Sequence, residues 1–213
     1  MKIFDQIETV KDRVERANLS PLEDEIRRHI LREFARRGRA PALEEIAEAL
    51  KTSLSTVKEV VEKLENADIL LTEGGEIVSA YPFSALKTSH RVVFEDGRGV
   101  YALCAVDALG VHFMLGKGIT VLSLCPYCGR ELKIELRDGK IASREPHEII
   151  EYVAVAKKCG CSAETLCPFI NFFCSVEHLN KWKEDNPEYS DGDVYSLGEA
   201  MHCAKIIFIN LLK

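Results

Sequence analysis

The sequence predicts an α+β fold in two parts. Residues 1–80 form a helical domain closed by a small β hairpin, and residues 81–213 form an antiparallel-sheet α+β domain. Three observations carry this. Up to residue 80, apolar residues recur at helical spacing between recognisable caps. Beyond it, short runs alternate apolar and polar residues and are parted by glycine turns. All eight cysteines lie after residue 103, so any thiol chemistry belongs to the second part.

The N-terminal elements follow in order. Residues 1–17 place Ile3, Phe4, Ile7, Val10 and Val14 on one face of a short amphipathic helix. Ser20-Pro21 reads as an N-cap with proline in the first helical position. The helix behind it carries Leu22, Ile26, Ile30, Leu31 and Phe34 and stops near Gly38. Pro41 opens a second helix with Leu43, Ile46, Ala47 and Leu50. Thr52-Ser53 caps a third, with Leu54, Val57, Val60, Val61 and Leu64 in register. Two β segments, 69–72 and 76–81, flank Gly74-Gly75. Three helices and a glycine-turned hairpin make a winged-helix-like pattern.

In the second part, residues 91–95 read as a strand, 96–99 as a turn, 101–115 as a short helix and 119–124 as a strand ending at Cys125. Residues 131–137 and 140–143 form a hairpin about Asp138-Gly139. Strands at 151–156 and 170–174 and helices at 176–184 and 197–212 complete it.

Composition narrows the function. The net charge is −6, and residues 1–80 hold 13 Lys or Arg against 17 Asp or Glu. The third helix offers Lys58 and Lys63 but also Glu59, Glu62 and Glu65, a poor face for a phosphate backbone, so DNA is not the expected partner. No apolar run approaches the roughly 18–20 residues that span a bilayer, and the first twenty residues mix charges without an apolar signal core. A cytoplasmic chain without a membrane partner is expected. In a reducing compartment its cysteines read as ligands or nucleophiles, not as disulfides.

Two stretches bear the chemistry. Cys104 and Asp107 stand three apart, the spacing of one helix face, so a thiol and a carboxyl share one small volume. Leu103, Ala105, Val106, Ala108 and Leu109 surround that carboxyl, and an apolar setting raises its pKa toward that of a proton donor at neutral pH. Cys167 sits among Leu166, Pro168, Phe169 and Ile170; on local grounds it is equally a buried core thiol. Cys174 and Cys203 read as core residues, and His112 and His202 as satisfied or surface histidines.

The second part resembles the organomercurial (alkylmercury) lyase family. The resemblance rests on Tyr101-Ala102-Leu103-Cys104-Ala105-Val106-Asp107-Ala108-Leu109, on Val121-Leu122-Ser123-Leu124-Cys125, and on Cys167 followed by Phe172-Phe173. Ser175-Val176, Trp182 and Ser196-Leu197-Gly198-Glu199-Ala200 extend it, so that it covers most of residues 81–205 and, more loosely, 20–80. It implies a catalytic domain of the alkylmercury lyase type, with Cys104 and Cys167 as the thiolates that hold mercury and Asp107 as the proton donor. It implies protonolysis of R–Hg⁺ to R–H and Hg(II), no organic cofactor, and release of Hg(II) to other thiols or to a mercuric reductase. Soft thiolates suit a soft cation. One departure is Leu103, where the family usually carries tryptophan.

Four further cysteines form a separate question. Cys125-Pro126-Tyr127-Cys128-Gly129 is a Cys-x-x-Cys knuckle, and Cys159-Gly160-Cys161 follows 30 residues later. Together they suggest a structural Cys₄ zinc site that pins the loop before Cys167. Unligated thiols, a mercury relay and a redox pair are the competing readings. For the whole chain, the alternatives to a lyase are a winged-helix regulator that senses a soft metal, and a non-catalytic metal-binding relative of the lyase fold. Asp107 discriminates against the sensor, which needs thiolates but no acid beside them.

Overall fold

A computed structural model describes Phe4 and residues 8–155 and 161–213. The helices are α1 (Val10–Ala17), α2 (Pro21–Arg37), α3 (Leu43–Leu50), α4 (Leu54–Asn66), α5 (Ala105–Leu115), α6 (Ser162–Thr165), α7 (Val176–Asp185) and α8 (Leu197–Phe208). The strands are β1 (Leu70–Glu73), β2 (Glu76–Ala80), β3 (Phe83–Ser84), β4 (His90–Phe94), β5 (Gly99–Ala102), β6 (Ile119–Leu124), β7 (Glu131–Arg137), β8 (Lys140–Glu145), β9 (Ile150–Ala154), β10 (Ile170–Phe173) and β11 (Gly192–Ser196). The expected α+β class is the observed one.

Local chemistry explains the helix ends. Thr9, Ser20 and Ser196 each close a capping box, with Asp12, Glu23 and Glu199 returning a hydrogen bond to the cap's own N–H. Ser53 and Ser175 cap α4 and α7. Gly74 and Gly75 both adopt positive φ between β1 and β2, as a tight hairpin turn requires. Asp138-Gly139 does the same between β7 and β8.

The strands make two sheets. Eight run in the order β1-β2-β3-β5-β4-β6-β7-β8, and three in the order β10-β9-β11. Every pairing is antiparallel. The N-terminal hairpin is therefore hydrogen-bonded through β3 into the same sheet as the second part.

Several boundaries differ from expectation. The helix expected over 101–115 begins only at Ala105, because Val100 and Ala102 turn inward on a strand paired with β3 and β4. β3 and β11 were not anticipated: one is two residues long, and the other, Gly192-Asp193-Val194-Tyr195-Ser196, shows too little apolar alternation. The first helix, expected from residue 1, is α1 from Val10 among the described residues.

Helix α5 is buried on almost every side, as a helix apolar all round must be. It packs on α8, and Gly110 is the point of closest approach: a Cβ there would come within 2.1 Å of the Phe208 ring. Because Phe208 is itself buried, Gly110→Ala is expected to destabilise the fold by about 1–3 kcal/mol despite alanine's better helix propensity. Denaturant unfolding of the two proteins checks this; equal midpoints would contradict it.

Candidate active site

The strand-to-helix junction between β5 and α5 creates the site. Cys104 is the N-cap of α5, with extended backbone, and Asp107 is its third residue. The two therefore meet across a helix start, not along a helix face as their spacing suggested. The Cys104 Sγ donates to Asp107 Oδ2 at 2.9 Å, and the Asp107 carboxyl also accepts the Cys104 backbone N–H. Cys167, in the short 3₁₀ turn Cys167–Phe169 ahead of β10, donates from Sγ to the same Oδ2 at 3.8 Å. Sequence locality did not bring Cys167 here. Sheet β10-β9-β11 does, because β10 lies against α5. The three ligand atoms lie within 4.8 Å of one another, and all three side chains are buried.

Burial sets their protonation. It pushes Asp107 up to about 7, against the pull of the Cys104 hydrogen bond and the Arg13 charge. Burial also holds the Cys104 thiol well above its ordinary range, helped by Cys167 and Asp107. The neighbouring Cys104 thiol favours the Cys167 thiolate, yet burial and the Asp107 charge leave its pKa raised. At neutral pH the trio thus holds two protonated thiols around a carboxyl poised near half ionisation.

The trio opens on a cavity of about 40 Å³ walled by Arg13, Tyr81, Val106, Leu166, Ile207 and Phe208, among others. Arg13 is buried, ion-paired with Asp68, and lies 5.0 Å from the Tyr81 ring centroid. The Tyr81 hydroxyl is buried without a hydrogen-bond partner among the described residues, close enough to Cys167 to favour its thiolate. Sequence reasoning missed both. Arg13 left a signal, being a cation between Val10 and Val14 on the apolar stripe of α1. Glu151 was missed too: it is fully buried in β9, has no partner for either oxygen among the described residues, and is raised to about 8 by burial and the Asp107 charge.

A second cavity, of about 530 Å³, is lined by Leu103, Ser84, His90, Pro168 and Asn171, and Cys167 is the residue it shares with the first. His90 is held neutral there, with a pKa lowered to about 4 by burial, and its Nδ1 pairs with Ser123 Oγ at 2.8 Å. A cleft of about 1070 Å³ beside Arg36, Arg98 and Arg137 contains none of the trio. His112 is a structural residue as expected: its Nδ1 meets the Lys117 carbonyl at 2.6 Å and its Nε2 accepts the Gly139 N–H at 2.9 Å.

The expected four-cysteine grouping is corrected. Cys161 is not near the knuckle. Its Sγ donates to Asp68 Oδ1 at 3.1 Å, and Ser162 gives the same carboxylate its N–H and hydroxyl, so Asp68 captures the start of α6. Cys159 lies outside the described residues. The partners of Cys125 and Cys128 are instead Cys174, expected to be a core residue, and His178.

Comparison with known proteins bears on the whole chain. The family model described as alkylmercury lyase matches residues 83–208, and one described as winged helix-turn-helix DNA-binding matches residues 23–70. An alkylmercury lyase of Staphylococcus epidermidis is 27% identical over 149 residues, covering 70% of this chain and 67% of that protein. One from Pseudomonas putida is 28% identical over 151 residues, covering 70% and 69%. Among solved structures, the crystal structure of the mercury-bound form of MerB2 superposes with a TM-score of 0.78 at 26% identity, covering 96% of this chain and 99% of that one. No described helix is long and apolar enough to cross a membrane.

Proposed function

The chain belongs to the alkylmercury lyase family, and from that premise we propose that it cleaves the carbon–mercury bond of R–Hg⁺ to give R–H and Hg(II). The observation that carries the reading is the convergence of two buried thiols on one carboxyl oxygen. Soft thiolates are the protein ligands that suit mercury, and an acid beside them has no use in mere storage.

The proton balance follows. The two thiols bring two protons. One is lost to solvent as the first sulfur–mercury bond forms. The other passes to Asp107 as the second thiolate joins, raising electron density at the mercury-bound carbon. Asp107 then delivers it to that carbon, the carbon–mercury bond breaks, and Hg(II) stays on Cys104 and Cys167. In sum, R–Hg⁺ and two thiols give R–H, a mercury dithiolate and one proton. Burial of all three side chains strengthens each of these interactions by excluding water. External thiols or a mercuric reductase take up the Hg(II), in a cytoplasmic setting that keeps the acceptors reduced.

The same reading gives the N-terminal helices a structural part. Helix α1 supplies Arg13 to the cavity wall. The exposed face of α4 sets Lys58 against Glu59 and Glu62, a poor surface for DNA.

Phenylmercury with excess thiol tests the proposal. The protein is expected to release benzene, measured in the headspace, while Cys104→Ala and Cys167→Ala, folded by circular dichroism, release none. Absence of turnover by the unaltered protein on both aryl and alkyl mercurials would overturn it.

A further inference from the structure

We propose that Cys125, Cys128, Cys174 and His178 form a zinc(II) site, distinct from the catalytic trio, that fixes the strand leading back to Cys167. The four donor atoms lie within 4.8 Å of one another. Cys174 Sγ stands 3.7 Å from Cys125 Sγ and 3.8 Å from Cys128 Sγ. A tetrahedron with metal–sulfur bonds of about 2.3 Å has edges of about 3.8 Å, so the sulfurs already stand at ligand spacing. His178 Nδ1 lies 3.0 Å from Cys174 Sγ, a thiol–imidazole hydrogen bond that a shared metal would open to about 3.5 Å.

The backbone is built to this purpose. The chain turns sharply after Cys125: Gly129 adopts a φ of +69° and donates its N–H to the Cys125 carbonyl at 2.9 Å. That turn directs the N–H groups of Tyr127 and Cys128 at the Cys125 sulfur, and the Cys174 N–H reaches it from the other side. Such N–H···S bonds stabilise thiolate donors. On the opposite strand, Ser175 caps α7 by accepting the His178 N–H, which holds His178 one helical turn beyond Cys174. Cys128 is exposed, giving an ion a route in, while Cys125 and Cys174 are buried. Three thiolates and one imidazole make a closed set of the structural type, with no position left for a substrate.

The mechanical consequence lies in β10. Cys174 directly follows this four-residue strand, and Cys167 opens the 3₁₀ turn ahead of it. A metal joining Cys174 to the β6–β7 knuckle ties one end of β10 to the large sheet and so steadies the thiol at the other.

Elemental analysis of the full chain, purified under reducing conditions without chelator, is expected to find one equivalent of zinc. Cobalt(II) exchanged into the site is expected to give the thiolate charge-transfer and intense visible bands of a tetrahedral centre. Cys128→Ser and His178→Ala should each lose the metal, and Cys161→Ser should keep it. Chelation of the unaltered protein should lower its Tm. The proposal fails if the unaltered chain neither carries zinc nor gives the cobalt bands, if both ligand variants retain full zinc, or if Cys161→Ser loses it. It fails equally if the site takes mercury(II) but not zinc, or if mass analysis shows a Cys125–Cys174 disulfide in the reduced preparation. Should the ligand variants not fold, the cobalt spectrum of the unaltered chain decides.

Discussion

Asp107→Asn is expected to slow carbon–mercury cleavage by about 10²–10⁴-fold, the usual contribution of a positioned general acid, while leaving mercury bound. Asparagine matches the carboxyl in shape and still accepts the Cys104 thiol's hydrogen bond, so Cys104 and Cys167 keep their places. What it lacks is a transferable proton. Single-turnover release of R–H should therefore collapse, while titration with Hg(II) should still find one tight dithiolate site. The pH profile provides a second reading of the same group. Asp107 titrates near 7, and the trio must surrender one proton before mercury can bridge both sulfurs. Accordingly kcat/KM should fall about tenfold per pH unit below about 7, a limb that belongs to the coupled trio and that vanishes in the variant. Cleavage by Asp107→Asn at the original rate would mean that solvent or a thiol protonates the carbon directly.

The second large effect concerns Glu151. This carboxyl is fully buried, without a partner for either oxygen among the described residues, and its pKa rises from 4.5 to about 8. The folded state therefore keeps a proton that the unfolded chain gives up above 4.5. Below 4.5 both states are protonated and ionisation contributes nothing to the difference. Between 4.5 and about 8 stability declines as pH rises, and above about 8 the full cost of a buried carboxylate is present. A shift of this size corresponds to on the order of 4–5 kcal/mol. Glu151→Gln removes the titration, so the variant should match the unaltered protein near pH 4 and exceed it increasingly up to pH 9. Chemical denaturation at several pH values measures the difference. Parallel stability curves for the two proteins would show that Glu151 ionises in the folded state as freely as in the unfolded one.

Much of this was legible in the sequence, and the failures have physical causes. The caps at Ser20 and Ser53 and the turns at Gly74-Gly75 and Asp138-Gly139 are local chemistry, and they were read correctly. The pairing of Cys104 with Asp107 was also local, but for another reason than spacing on a helix face: N-cap and third residue approach each other at any helix start. Cys167 was out of reach of local reasoning. Sixty residues separate it from Asp107, and only the stacking of β10 on α5 closes that distance; the family resemblance supplied it instead. Half of the second thiol cluster was visible as the Cys-x-x-Cys knuckle. Its other half is Cys174-x-x-x-His178, two residues four apart across the start of α7. The sequence reading pairs the knuckle with Cys159-Gly160-Cys161 and leaves Cys174 in the core. Asp68 decided between them by drawing Cys161 away. Glu151 gave no warning, since a lone acid in a short strand looks the same whether its face meets water or a second layer.

The order of strands in the large sheet bears on how such a chain is assembled. Apart from the exchange of β4 and β5, the strands lie side by side in the order in which they are synthesised. Outside that exchange each new strand can dock on an edge already in place, so the sheet grows with few long loops to close. The catalytic pocket does not share that early start. Its roof includes Ile207 and Phe208, both on the final helix α8. A nascent chain that has reached Cys167 but not yet α8 already holds both thiols and the acid, yet lacks the part of the wall that Ile207 and Phe208 supply. Sheet formation is thus progressive, whereas the wall around the thiol pair is completed only when α8 packs against it.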